Sequence, residues 1–189
     1  MNEKERTIQE LSDARNQGKP LFTPGPASLL PENVTGMRPC FGRGDKDYDV
    51  IEKRILNSLK EMTGHRHIAR MQGSASLALE IMSLNFLFGR VLIVSTGYYS
   101  DRLQTLSESA ARLVGAVKEV VSASWQDLEK LSDTYDWIWA CPTETSCGLK
   151  IPIRRLGEVA KRHNAKLMLD ATASIGLEGD HDIADVGWL

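Results

Sequence analysis

What this chain of 189 residues lacks narrows the field before any motif is considered. No apolar run exceeds strand length: the strongest, Val91-Leu92-Ile93-Val94, is far short of the roughly 20 residues that cross a bilayer. The first residues, Met1 to Arg15, are charged and carry no apolar stretch of the kind a signal peptide needs. No sign of charge dominates. With 23 Lys and Arg against 25 Asp and Glu the net charge is −2, which gives no electrostatic case for nucleic acid or an anionic membrane as partner. The three cysteines, Cys40, Cys141 and Cys147, are odd in number and form no C-x-x-C pair, so reduced thiols in a cytosolic protein are the simplest expectation. Repeats and low-complexity segments are missing too. A hydrophobic share of 42% and a charged share of 25% suit one substantial globular core.

What is present has a clear order. Residues 1–17 read as a polar, helical arm anchored by Ile8 and Leu11, and the loop Phe22-Thr23-Pro24-Gly25-Pro26 follows. Tyr48, Ile51, Ile55, Leu59 and Met62 share one helical face, with Gly64 as the stop. Strands and helices then alternate. The pattern predicts a strand over His67–Met71, a helix over Ser76–Phe88 that is apolar nearly all round and hence buried, and a strand over Arg90–Ser95. A helix bearing Leu103, Leu106, Ala110 and Leu113 follows, then a strand over Ala116–Val121 and a short helix over Trp125–Leu131. A strand over Asp136–Ala140, a helix with Ile153, Leu156, Gly157 and Ala160 inward, and a strand Lys166–Leu169 ending on Asp170 complete the series. Such alternation argues for an α/β fold with a mostly parallel sheet and helices on both faces. Ligands bind beyond the carboxyl ends of such strands, which singles out Gly73–Ser76, Thr96–Tyr99, Pro142–Gly148 and Asp170–Gly176.

Gly73-Ser74-Ala75-Ser76 joins a strand to a helix. Its small residues, two hydroxyls and helix N-terminus suit a phosphate, and they equally suit a plain helix cap. Asp170 at a strand end could meet a cationic ring nitrogen, or it could cap the turn Ala171-Thr172-Ala173-Ser174. Thr96-Gly97-Tyr98-Tyr99 offers an aromatic that could stack on a flat cofactor. Glu144-Thr145-Ser146-Cys147-Gly148 adds hydroxyls and a glycine turn, with no purpose legible in it alone.

Taken together and in this order, these segments resemble the class V aminotransferases, a family of pyridoxal-phosphate (PLP) enzymes of fold type I. The resemblance is strongest to the branch with 2-aminoethylphosphonate–pyruvate, alanine–glyoxylate and serine–pyruvate aminotransferases. It runs from Thr23-Pro24-Gly25-Pro26 through Arg43-Gly44-Asp45-Lys46-Asp47-Tyr48 to Leu169-Asp170-Ala171-Thr172-Ala173-Ser174-Ile175-Gly176, covering about residues 20–189. It implies an arm over residues 1–20 and part of a PLP-binding large domain over 21–189, with the family's C-terminal domain absent. By the same resemblance, Ser74, Ala75 and Ser76 would hold the cofactor phosphate, Ala75 through its backbone N–H. Tyr99 would stack on one face of the pyridine ring and Thr172 would cover the other. Thr145 would hydrogen-bond near the ring hydroxyl, Asp170 would bind the ring nitrogen, and Pro24 and Gly25 would line the substrate side. The substrates implied are a small amino donor and a 2-oxo acid, in a cytoplasmic homodimer.

Three departures stand out. The family's phosphate loop reads Gly-Ser-Gly-Thr where Ala75 and Ser76 fill the last two places here, Pro142 stands for a usual histidine, and Cys147 for a usual threonine. The lysine that forms the Schiff base with the cofactor is expected beyond Leu189, because Lys150, Lys161 and Lys166 match nothing catalytic in the family. A catalytically incomplete fragment, or one half of a split protein awaiting a complementing C-terminal half, is therefore the alternative to a working transaminase. A nucleotide-binding module is a third possibility, although it would leave Asp170 unexplained. His65-x-His67 lacks a third metal ligand and reads as loop polarity. Trp125, Trp137, Trp139 and Trp188 read as packing residues.

Overall fold

The computed structural model describes residues 7, 10, 41, 42 and 44–188. The arm at residues 1–20, apart from Thr7 and Glu10, and the Pro24-Gly25-Pro26 loop with its substrate-side residues Pro24 and Gly25 lie outside them. The chain divides into two compact units, Met1–Lys53 and Arg54–Leu189.

Helix α1, Lys46–Thr63, begins where Asp45 Oδ1 accepts from the N–H of Asp47 at 2.9 Å. In the first unit, the rings of Phe41 and Tyr48 lie 5.8 Å apart. The helix ends as the sequence predicts. Gly64 takes φ 72°, donates its N–H to Lys60 O at 2.8 Å, and leaves so little room that a Cβ would stand 2.4 Å from that of Asp182. A side chain there would be strained and crowded at once. The expected apolar face is only partly covered, since Ile55 and Met62 are each 52% exposed.

The second unit holds the sheet. Its remaining elements are α2 (Ala75–Phe86), β1 (Gly89–Ser95), α3 (Tyr98–Val114), β2 (Val117–Ser124), β3 (Trp137–Ala140), a hairpin of β4 (Thr143–Glu144) and β5 (Leu149–Lys150), α4 (Ile153–Arg162), β6 (Lys166–Asp170) and β7 (Val186–Trp188). Strand order is β2-β1-β3-β6-β7 and every pairing in this sheet is parallel. Alternation along the strands then builds two cores, because successive side chains leave on opposite faces. Val91, Ile93, Trp137, Trp139 and Met168 pack with Leu79 and Met82 of α2 and Leu103 of α3. Leu92, Val94, Ile138, Ala140, Leu167 and Leu169 pack with Ile153, Leu156 and Val159 of α4. This is the predicted α/β architecture, with helices on both faces.

Three expectations are corrected. His67–Met71 forms no strand: a strand needs a neighbour, and no described residue pairs with this segment. Trp125–Leu131 is a 3-10 turn at Leu128–Lys130 instead of an α-helix, since Leu128 is its one fully buried anchor. Helix α2 is apolar nearly all round but is buried on one side only, with Leu77 42% and Phe86 45% exposed. A single helix laid on a sheet buries one stripe, and among the described residues nothing covers the other.

Candidate functional site

Three adjacent strands, β1, β3 and β6, end side by side, and the loops after them carry most of the singled-out residues. Leu87 and Phe88 alone separate α2 from β1, so α2 runs back along the sheet and starts toward the same carboxyl rim.

At that start Ser74 is the N-cap, with extended backbone at φ −83°, ψ 161°, and its Oγ accepts from the N–H of Leu77 at 3.4 Å. No described group accepts from the N–H of Ala75 or Ser76, as the first turn of a helix dictates. Ser74 is exposed, and Ala75 and Ser76 are half-buried. The segment thus is a helix cap and, at the same time, a cluster of free donors open to an anion.

Asp170 closes β6 and is only 5% exposed. Its Oδ1 accepts from the N–H of Thr172 at 3.1 Å and from the Thr172 hydroxyl at 2.6 Å. No described donor reaches Oδ2. The carboxylate therefore caps its own turn, as one of the two sequence readings has it, and its second oxygen is left without a described donor. Next to it in the sheet, Cys141 is buried, and its thiol is pushed well above the ordinary range, first by burial and then by the carboxylates of Asp170 and Glu144. That makes it an inert packing residue. Cys147 is exposed.

Tyr99, in the first turn of α3, and Thr145, in the turn of the β4–β5 hairpin, are joined through Glu144, to which the sequence assigned no role. Glu144 is completely buried. Its Oε2 accepts from Thr96 Oγ1 at 3.1 Å, Tyr99 N–H at 3.2 Å and Ser100 N–H at 3.3 Å. Its Oε1 accepts from the Ser146 N–H at 3.2 Å and from the Ser146 hydroxyl. An acidic group at the first turn of α3 complements the helix dipole there. Ser100, also fully buried, accepts through Oγ from the N–H of Thr96 and Gly97 at 2.9 and 3.0 Å and donates to Gly97 O at 2.7 Å. Gly97 makes this possible, for a Cβ on it would stand 2.9 Å from Ser146 Oγ and 3.1 Å from Glu144 Cδ. Tyr99 is half-buried and meets Tyr98 edge-on at 5.4 Å. Thr145 is half-buried, and its hydroxyl bonds to no described residue.

Asp170 and Thr172 are thus in direct contact and Tyr99 and Thr145 are tied through Glu144, while no hydrogen bond links Ser74, Ala75 or Ser76 to either pair. The lysines lie elsewhere: Lys150 is ion-paired with Glu178, Lys161 sits in the last turn of α4, and Lys166 starts β6 with its Nζ 5.4 Å from the centre of the Trp137 ring. Among the described residues no group of three or more His, Cys, Asp or Glu could hold a metal ion, and no helix is long and apolar enough to cross a membrane.

No protein-family profile matches the chain. It is 27% identical over 169 residues to a 2-aminoethylphosphonate–pyruvate transaminase of Pseudomonas aeruginosa, a match covering 84% of this chain and 46% of that protein. An uncharacterized aminotransferase of Methanocaldococcus jannaschii is 28% identical over 179 residues, covering 86% and 44%. Among solved structures, pyridoxamine–pyruvate aminotransferase from Mesorhizobium loti superposes with a TM-score of 0.75 at 20% identity, covering 87% of this chain and 45% of that one. Ureidoglycine–glyoxylate aminotransferase from Bacillus subtilis gives 0.68 at 22% identity, covering 87% and 46%. The chain spans about half the length of the curated relatives it matches. The resemblance read from its residues holds, and the fold is that of the type I PLP-dependent transferases.

Proposed function

We propose that this chain is the cofactor-holding part of a class V aminotransferase that binds PLP at the carboxyl rim of its sheet. The reaction would move an amino group from a small amine or amino acid, such as 2-aminoethylphosphonate, alanine or serine, to a 2-oxo acid such as pyruvate or glyoxylate. One observation carries the proposal: Asp170, buried at the end of a central strand, keeps a carboxylate oxygen that no described donor satisfies. Thr172 answers the other oxygen twice, and a protonated ring nitrogen would be a charged donor for this one.

The donor set fits the rest of the group. The N–H groups of Ala75 and Ser76, with the hydroxyl of Ser76, would receive the phosphate at a helix N-terminus. The α3 N-terminus does not compete for it, since Glu144 already fills that position. When bound, PLP supplies an electron sink conjugated to the substrate's α-carbon. Asp170 would keep the ring nitrogen protonated and so sustain that sink. Thr172 would hold the Asp170 carboxylate in line while its methyl covers one ring face, and Tyr99 would cover the other. The Thr145 hydroxyl, which bonds to no described residue, would meet the ring hydroxyl. Pro24 and Gly25 would line the substrate side.

A second reading rests on the lysines. With Lys150 held by Glu178 and Lys166 at the amino end of β6, the chain would bind PLP without turnover and gain the Schiff-base lysine from a complementing C-terminal half within a cytoplasmic dimer. Titration of the purified chain with PLP and with unphosphorylated pyridoxal tests both. Binding of PLP, weakened in Ser76→Ala more than the binding of pyridoxal, is the expected result. Turnover of 2-aminoethylphosphonate or alanine by the chain alone would discard the second reading, and failure to bind PLP at all would discard both.

A further inference from the structure

Helix α3 and the β4–β5 hairpin are distant in sequence, yet one buried side chain holds them together. Glu144 accepts from Thr96, Tyr99 and Ser100 with one oxygen and from Ser146, twice, with the other. Ser146 Oγ also accepts from the N–H of Tyr98 at 3.3 Å, and Gly97 leaves the space that lets the hairpin approach. The Glu144 carboxylate has no other described hydrogen bond and no described cationic partner. Its bonds to Ser146 bracket Thr145 on the hairpin, and its others include the backbone of Tyr99 on the helix.

We propose that Glu144 is a positioning residue that sets the Tyr99 ring and the Thr145 hydroxyl at a fixed separation, so that a flat aromatic ligand meets a stacking face and a hydroxyl together. The proposal rests on the PLP reading of this rim. Glu144 touches neither ligand nor reacting atom, and it works by tying two backbones. A neutral Gln has the same shape, but one of its two ends donates, so at least two of the five donors lose their acceptor. A carboxylate is required for all five.

The chain is titrated with pyridoxal phosphate, pyridoxal and inorganic phosphate, reading the visible circular dichroism of the bound ring and, for phosphate, competition. In Glu144→Gln, pyridoxal and pyridoxal phosphate are expected to bind on the order of tenfold more weakly with altered ring dichroism. Inorganic phosphate is expected to compete as it does in wild type, because the α2 N-terminus is untouched. In Glu144→Ala, formate fits the vacated space and accepts from the same donors, and it is expected to restore the dichroism where chloride does not. Unchanged pyridoxal binding and dichroism in Glu144→Gln would overturn the proposal. So would an equal loss for inorganic phosphate, which would make Glu144 a general support of the fold. A wild-type chain that gives no signal with pyridoxal phosphate overturns the cofactor reading instead, and the positioning role falls with it.

Discussion

The two ends of the sheet are both rich in charge and dispose of it in opposite ways. At the amino end Arg90 is a hub: its Nε pairs with Glu119 at 2.7 Å, its Nη2 with Asp133 at 2.8 Å, and its guanidinium lies 5.1 Å from the centre of the Tyr135 ring. Asp136 accepts from the backbone of the same residue at 2.8 Å. Charges of both signs meet there, partly in water, with several carboxylates gathered around one guanidinium. At the carboxyl end Glu144 and Asp170 are buried carboxylates answered only by hydroxyls and amides. That end is negative inside, and one oxygen is unspent. One end keeps its ion pairs partly in water, where they add little, whereas the other buries carboxylates among neutral donors, where each hydrogen bond counts for more.

The contrast can be broken by substitution. The largest effect is expected from Glu144→Ala, which leaves several buried donors unpaired and should cost on the order of 3–5 kcal/mol in urea denaturation. Asp170→Ala should weaken PLP binding by about 1–3 kcal/mol, the worth of a charge-assisted hydrogen bond, while denaturation midpoints move little. Arg90→Ala should cost far less than either, since its ion pairs are solvent-screened, and added salt should shrink the effect further. Should Arg90→Ala prove costlier than Glu144→Ala, the distinction between the two ends would be lost. The smallest effect sharpens the picture behind the rim, where buried His181 lies 2.9 Å from Ser174 Oγ. Burial, and then His65, depress the His181 pKa below its ordinary 6.5. The unfolded chain therefore takes up the proton first, so stability holds above about pH 6.5 and falls as the pH drops below it. His181→Gln should flatten that fall in a pH series of thermal melts.

Much of this was legible in the sequence. The alternation of elements predicts the layers. Ser74 and Asp170 stand out because the ends of helices and strands in an α/β sheet have fixed chemical meanings. Glu144 did not stand out, because its partners Thr96, Tyr99 and Ser100 lie 44–48 residues away and no local spacing announces a buried acid in a polar loop. A glycine right after a strand, Gly97, was the one available hint, and its meaning depends on the hairpin that fills the space. His67–Met71 failed for a related reason. Its residues have strand character, but whether they pair is decided by other parts of the chain.

The bonds from Glu144 also bear on how the protein folds. Those to Thr96 and to the start of α3 span 44–48 residues and enclose all of β2, so they close together with the pairing of β1 and β3. Contacts of such long sequence separation are slow to form because the loop entropy is paid first. Helices α2 and α3 can gain structure locally. The arrangement of Tyr99 and Thr145 comes only with the assembled sheet, and a chain caught before that point would have helices with the hairpin not yet joined to them.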